Sequence, residues 1–220
     1  MTKTIVFDLD GTLVHSAPDI HAAVNRMLAD CGEAPLDMPT VTGFVGNGIP
    51  NLVRLVMQAR DIPADAEPRM MQLMVDHYTA HPADLTRPYP GVVDALTAFR
   101  AAGHRLGVCT NKLHAPSVDI LDQLDLARFF DVVIGGDSLP VKKPDPAPLY
   151  AAFEALAPEP GLYVGDSEVD AATAENAGVS FALFTRGYRK TPVEALRHHF
   201  AFDAFDDLPA WVAQNAVSAG

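Results

Sequence analysis

Hydrophobic and polar positions along this chain follow two regimes. From Asp19 to about His81 apolar residues return every three or four positions. Ile20, Ala23, Val24, Met27 and Leu28 trace the first such stripe, and Gly32 ends it. Ser16 or Asp19 is placed to cap that helix. The same period predicts helices over residues 51–60 and about 66–81, on either side of Ile62-Pro63. Residues 35–42 read as a loop, and nothing in this block reads as a strand. Past Gly91 the pattern changes to short apolar runs alternating with helical stretches. Strands are predicted over 105–110, 131–134, 161–164 and 179–184, with helices over 92–102, 116–126, 146–156 and 168–177. The tail over 202–211 adds a last short strand and helix. With the opening strand Lys3-Thr4-Ile5-Val6-Phe7, this alternation predicts an α/β fold built on a doubly wound parallel sheet. Residues 1–14 and 86–220 would form that core, and residues 15–85 a helical domain inserted after the first strand. Three prolines between positions 82 and 90 mark a stiff return linker.

The ends of the predicted strands carry the chemistry. The first runs into Asp8-Leu9-Asp10-Gly11-Thr12-Leu13. If the chain stays extended, Asp8 and Asp10 point to one side, and Gly11 lets the backbone turn sharply behind them. Thr110-Asn111-Lys112 offers a hydroxyl and amide donors at a second strand end, Lys142-Lys143 a pair of cations before a helix, and Gly165-Asp166 with Asp170 two more acids. In a doubly wound sheet these strand ends converge on one crevice. Carboxylates ~4 Å apart at an effective dielectric of ~20 repel by roughly 4 kcal/mol, so such a cluster takes up protons or binds a cation. An all-oxygen site suits Mg²⁺ completed by a substrate phosphate.

Composition narrows the partners. The 220 residues are long enough for a sizeable core, and 49% hydrophobic with 20% charged residues is ordinary for a globular protein. A net charge of −12 argues against nucleic acid and anionic membrane surfaces but not against a small anion met by a bound cation. Cys31 and Cys109 form no metal or redox pattern and are expected as free thiols. Ile5-Val6-Phe7 is too short an apolar run for a secretory signal, and no stretch approaches the roughly 20 apolar residues that span a bilayer; a cytoplasmic protein is expected. His77 and His81 have the i,i+4 spacing of a zinc pair, but Tyr78 stands where a metalloprotease motif carries Glu, and a surface helix explains them better.

The four polar segments, in order, resemble the motifs of the haloacid dehalogenase-like phosphohydrolases. Asp8 and Asp10 match the first motif, Thr110 the second, Lys143 the third, and Asp166 with Asp170 the fourth. The resemblance implies an aspartyl-phosphate mechanism: Asp8 as nucleophile and Asp10 as general acid and base. It also implies Mg²⁺ held by Asp8, the Asp10 backbone carbonyl and Asp166, with Asp170 orienting them. The helical insertion then matches a first-position cap. Ser16-Ala17-Pro18-Asp19, Gly46-Asn47-Gly48, Tyr89-Pro90-Gly91-Val92, Thr110-Asn111-Lys112 and Gly136-Asp137-Ser138-Leu139-Pro140 further resemble the bacterial phosphoglycolate phosphatase branch. That implies 2-phosphoglycolate as substrate, bound through Thr110, Asn111, Lys143, Gly46, Asn47 and Arg54, and a monomer or homodimer. His15 departs from the pattern, since that branch usually carries Asp there. Alternatives within the family are a β-phosphoglucomutase-like mutase, a pyrophosphatase or another sugar-phosphate phosphatase. Outside enzymes, the alternative is a phosphate-sensing regulatory domain.

Overall fold

A computed structural model describes residues 4–157 and 161–215. Strand β1 (Thr4–Phe7) is followed by a two-residue strand β2 (Val14–His15) and four helices: α1 (Ala17–Asp30), α2 (Met38–Thr42), α3 (Ile49–Ala59) and α4 (Glu67–Ala80). A second two-residue strand, β3 (Arg87–Pro88), returns the chain to the sheet. Then come α5 (Val92–Ala101), β4 (Arg105–Cys109), α6 (His114–Gln123), β5 (Val132–Ile134), α7 (Ala147–Leu156), β6 (Leu162–Gly165), α8 (Glu168–Ala177), β7 (Ser180–Phe184), β8 (Phe200–Phe202) and α9 (Asp207–Asn215). The main sheet has the order β5-β4-β1-β6-β7-β8 with every pairing parallel. The expected doubly wound parallel sheet is therefore what the chain forms.

Alternation along the strands explains the layers. Ile5, Phe7, Leu106, Val108, Leu162, Val164, Ala182 and Phe184 face one apolar cluster, which α5 and α9 cover. The residues between them, Val6, Cys109, Tyr163, Phe181 and Leu183, face a second cluster under α7 and α8. Burial on both faces is why these strands read as continuous apolar runs. The chain runs outward from β1 to β4 and β5, then crosses back to β6 on the other side of β1. The sheet thus switches direction around β1, and a ligand crevice is expected beyond the C-terminal ends of β4, β1 and β6. Phe7 pairs with both Val108 and Val164, so those three ends are level.

In the helical block α1 packs on α2 and α4, and α4 on α3. Three local expectations are corrected here. Residues 35–42 hold a short helix rather than only loop, because Asp37 caps it by accepting from the Thr40 amide at 2.8 Å and Pro39 suits its first turn. The two linkers pair with each other, Val14 opposite Pro88 and His15 opposite Arg87, as an antiparallel ribbon at the root of the block. Neither Ser16 nor Asp19 caps α1 through its side chain. Asp19 is buried and accepts from the amides of Leu85 and Thr86 and from the Thr86 hydroxyl, tying the first helix to the return linker. Among the described residues no helix is long and apolar enough to cross a membrane. Cys31 and Cys109 are both free thiols, and His77 and His81 each pair with a different aspartate, Asp30 and Asp84.

Candidate active site

β1 ends in a tight turn, not in extended chain. The amides of Thr12, Leu13 and Val14 all converge on the Leu9 carbonyl. Gly11 makes the turn at φ +86°, where a Cβ would come within 2.6 Å of an Asp166 carboxylate oxygen. The turn sends the two acids of the first motif to different partners. Asp8 continues the line of β1, its amide donating to the Val164 carbonyl at 2.8 Å, and its Oδ1 lies 2.9 Å from Lys143 Nζ. Asp10 is swung onto Lys112, whose Nζ donates to both of its oxygens at 3.0 and 2.8 Å, and accepts from the Ser16 hydroxyl at 2.5 Å.

Asp8, Asp166 and Asp170 are buried together, with one oxygen of each within 4.8 Å of the others. The expected acid cluster forms without the Asp10 side chain. Asp170 is fully occupied. Its Oδ1 accepts from Lys143 Nζ (2.7 Å) and the Tyr163 hydroxyl (2.7 Å), its Oδ2 from the Ser167 hydroxyl and the amides of Asp166 and Ser167. With Ser167 it forms the capping box that starts α8. Asp166 accepts from the Thr12 hydroxyl at 2.8 Å and the Tyr188 amide at 2.6 Å. Lys143 is held by Asp170, Asp8 and the Tyr163 hydroxyl, 2.8 Å away.

Electrostatics follow from that wiring. Burial is the largest influence on Asp8 and, with Asp170 and Asp10 nearby, pushes its carboxyl up to about 7 against the pull of Lys143. Burial, Asp170 and Asp8 likewise raise Asp166. Burial would raise Asp170 too, but Lys143 and the hydrogen bonds it accepts outweigh that and hold it below the ordinary carboxylate value. Lys143 is kept charged, since Asp170 and Asp8 more than offset its burial. Two buried carboxyls that resist ionisation beside a fully satisfied third form a site short of positive charge.

A cleft opens from Asp8 between the sheet and the helical block. Asp8, Asp10, Thr110, Asn111 and Lys112 line its sheet side, and Ile20, Val45, Ile49, Leu52, Met74 and Tyr78 its helical side. It is small, about 60 Å³ for the centres of water-sized molecules. Among the described residues Tyr78 Oη and Asn111 Oδ1 are buried in this cleft with no hydrogen-bond partner, and Asp8 Oδ1 meets only the Lys143 ammonium at 2.9 Å. Each unpartnered atom costs about 1–3 kcal/mol unless something meets it. Three buried carboxylates that offer one oxygen each, with Lys143 the ammonium beside them, fit a hard divalent cation.

The other sequence-derived candidates separate clearly. Thr110 is buried at the end of β4, with its hydroxyl accepting from the Lys112 amide. Asn111 Nδ2 donates to the carbonyls of Gly46 and Lys143, stitching the helical block to the sheet. Gly46 and Gly48 line the cleft, and a Cβ on Gly48, at φ +81°, would press within 3.3 Å of the Asn111 carbonyl. Asn47 is fixed through its carbonyl, which accepts from Lys142 Nζ at 2.9 Å. Arg54 does not reach the cleft: it is exposed on α3, and its Nε donates to the Pro50 carbonyl one turn back. The helical period carries Leu52 inward and Arg54 outward. His15 lies between the rings of Tyr89 and Tyr188, with Nδ1 3.0 Å from the Tyr188 hydroxyl. Lys112, Tyr78, Thr12 and Tyr188 escaped the sequence reading. The Lys112 in Thr110-Asn111-Lys112 was visible as part of a motif, but its partner Asp10 lies 102 residues away.

A haloacid dehalogenase-like hydrolase family model matches residues 5–184. The chain is 56% identical over 207 residues to a phosphoglycolate phosphatase of Cereibacter sphaeroides, covering 93% of this chain and 95% of that protein. It is 40% identical over 214 residues to the phosphoglycolate phosphatase of Rhodobacter capsulatus, covering 96% and 97%. A crystal structure of a predicted phosphoglycolate phosphatase from Haemophilus somnus 129PT superposes with a TM-score of 0.89 at 32% identity, covering 96% of this chain and 97% of that one. In sequence over most of its length and in fold, the chain belongs to the haloacid dehalogenase-like hydrolases.

Proposed function

We propose that the chain is a phosphomonoester hydrolase that converts 2-phosphoglycolate to glycolate and phosphate through a phosphorylated Asp8. The observation that carries this reading is the buried Asp8 carboxyl at the floor of a small cleft, clustered with Asp166 and Asp170 and met by Lys143, with Thr110 lining the same cleft. The relatives in Cereibacter sphaeroides and Rhodobacter capsulatus, both phosphoglycolate phosphatases, support the choice of substrate.

The Asp8 carboxylate attacks phosphorus and the bond to the leaving oxygen breaks. Lys143, the Thr110 hydroxyl and the Asn111 amide hold the phosphoryl oxygens as charge spreads over them. Asp10 gives its proton to the departing alkoxide, then takes one from the water that attacks the acyl-phosphate and restores Asp8. Asp8, Asp166 and the Asp10 carbonyl would hold Mg²⁺, which when bound neutralises phosphate charge and steadies the nucleophile. Asp170 acts behind them, since all its hydrogen bonds hold Lys143, Tyr163 and the start of α8 in place. The helical block, residues 15–85, serves as a cap whose apolar wall excludes bulk water.

Phosphate release from 2-phosphoglycolate, β-glucose 1-phosphate, pyrophosphate and p-nitrophenyl phosphate, each with Mg²⁺ and with excess chelator, tests this. Preference for 2-phosphoglycolate and loss of activity in chelator are expected. Formation of glucose 6-phosphate, or full activity in chelator, would refute the reaction class or the metal assignment respectively.

A further inference from the structure

One charge of the proposed substrate has no partner among the groups assigned to the phosphate. The carboxylate of 2-phosphoglycolate must enter a cleft that already holds Asp8 and Asp10, so it needs a cation apart from those serving the phosphate. Arg54 is exposed elsewhere, Lys142 is committed to the Asn47 carbonyl, and Lys143 is enclosed by Asp8, Asp170 and Tyr163. Among the described residues lining the cleft, Lys112 is the one cation. Its side chain is only 7% exposed, and its Nζ lies 4.5 Å over the ring of Tyr78, which α4 contributes from the opposite wall. The Tyr78 hydroxyl is buried in the same cleft with no acceptor, and burial pushes it up to about 12, so it keeps its proton. A charged ammonium and an idle hydroxyl on facing walls are two donors awaiting a small anion.

We propose that Lys112 is the specificity-determining residue for this substrate, receiving its carboxylate together with the Tyr78 hydroxyl. The inference rests on the proposed phosphoglycolate reaction and deepens it. Lys112 contacts both oxygens of Asp10. Turning one N–H toward the substrate carboxylate gives up one of those contacts. It frees an Asp10 oxygen to face the leaving oxygen, while the Ser16 hydroxyl still holds the other. No bond is made or broken in this exchange. A substrate without the carboxylate would leave Asp10 engaged, so recognition at one end of the molecule readies the acid at the other.

The test compares 2-phosphoglycolate with 2-hydroxyethyl phosphate, which has CH₂OH in place of the carboxylate. For Lys112→Met the ratio of kcat/KM between the two esters should fall about 10- to 100-fold, the effect of a charged hydrogen bond. Inhibition by glycolate should weaken in step, and inhibition by inorganic phosphate should not. Tyr78→Phe should lower the same ratio by a smaller factor of about 3 to 10. Equal losses on both esters in Lys112→Met would mean that Lys112 serves only to neutralise Asp10, and would overturn the inference. Should that variant fail to fold, Lys112→Gln removes the charge and keeps a polar side chain, and an unchanged ester ratio there overturns the inference equally. If the unmodified protein shows no preference for 2-phosphoglycolate, the proposed substrate fails along with this inference. If that preference is present and survives Lys112→Met, only this inference falls.

Discussion

Two buried lysines bracket Asp8 and Asp10, and they are built in opposite ways. Lys143 has three partners, Asp170 at 2.7 Å, Tyr163 at 2.8 Å and Asp8 at 2.9 Å, all from the sheet and its helices. Asp170 is in turn locked by five donors. Lys112 has Asp10 and, across the cleft, the face of a tyrosine from the helical block. The first arrangement is over-determined, which suits a cation that must sit still while charge moves over a phosphoryl group. The second has slack, and slack is what a group needs if it is to exchange partners when a ligand arrives.

The largest effect expected from the rigid side is on chemistry. Asp8→Asn should reduce turnover by at least about 10³-fold, because an amide is a poor nucleophile at phosphorus. It should leave the fold intact, since it removes a carboxyl that burial already disfavours. Circular dichroism and steady-state phosphate release check both halves. Residual activity within tenfold of the unmodified protein would remove Asp8 as nucleophile.

Stability separates the two lysines next. Lys143→Met leaves Asp8 and Asp170 buried without a counter-charge, an expected loss of about 3–5 kcal/mol. At roughly 2–4 °C per kcal/mol for a chain of this size, Tm should drop by roughly 6–20 °C. Lys112→Met should cost less than half as much, because Asp10 keeps the Ser16 hydroxyl and lies at the cleft rather than beneath it. Equal losses in chemical denaturation would break the contrast between the two sites.

The pH dependence sharpens it further. The Asp8 carboxyl is raised from 3.8 to about 7, so the folded chain holds a proton that the unfolded chain has lost. That contribution to stability is complete below about pH 3.8 and disappears as pH rises through about 7. A divalent cation needs the ionised form, so it competes with this proton. Added Mg²⁺ should therefore raise Tm more at pH 8 than at pH 6, with apparent affinity rising about tenfold per pH unit below 7 and levelling above it. A Mg²⁺-induced shift that is the same at both values would exclude Asp8 from the metal site.

What the sequence made legible, and what it hid, follows the same division. The sheet strands announced themselves as apolar runs because helices cover both faces, and the candidate site groups sit one or two residues past their ends. Asp8, Thr110 and Asp166 could thus be singled out as polar groups at strand ends, and the roles proposed for them came from the family resemblance. Asp10 was misdirected because an alternating Asp-Leu-Asp pattern assumes extended chain, whereas three amides fold back onto the Leu9 carbonyl. Lys112 and Tyr78 were silent for a different reason. A helical stripe of Met70, Met74 and Tyr78 reads as core, and nothing local says that one of its polar ends meets a lysine on another element. Likewise Thr12 reaches Asp166 across 154 residues of sequence.

Arg54 gives the smallest expected effect and the cleanest test of where selectivity lies. A cation one turn from the Gly46-Asn47-Gly48 loop is a natural candidate to read a carboxylate, and spacing alone cannot say which way it points. In the fold, α3 turns Leu52, Val53, Val56 and Met57 inward, which leaves Arg54 in solvent. Its hydrogen bond to the Pro50 carbonyl is an exposed contact within its own helix, and an exposed side chain of this kind contributes within about 0.5 kcal/mol. Arg54→Ala should accordingly change kcat/KM for 2-phosphoglycolate by no more than about twofold. A selective loss of tenfold or more on 2-phosphoglycolate, with 2-hydroxyethyl phosphate spared, would require α3 to rotate its outer face into the cleft on binding. It would move carboxylate recognition from Lys112 to the helical block.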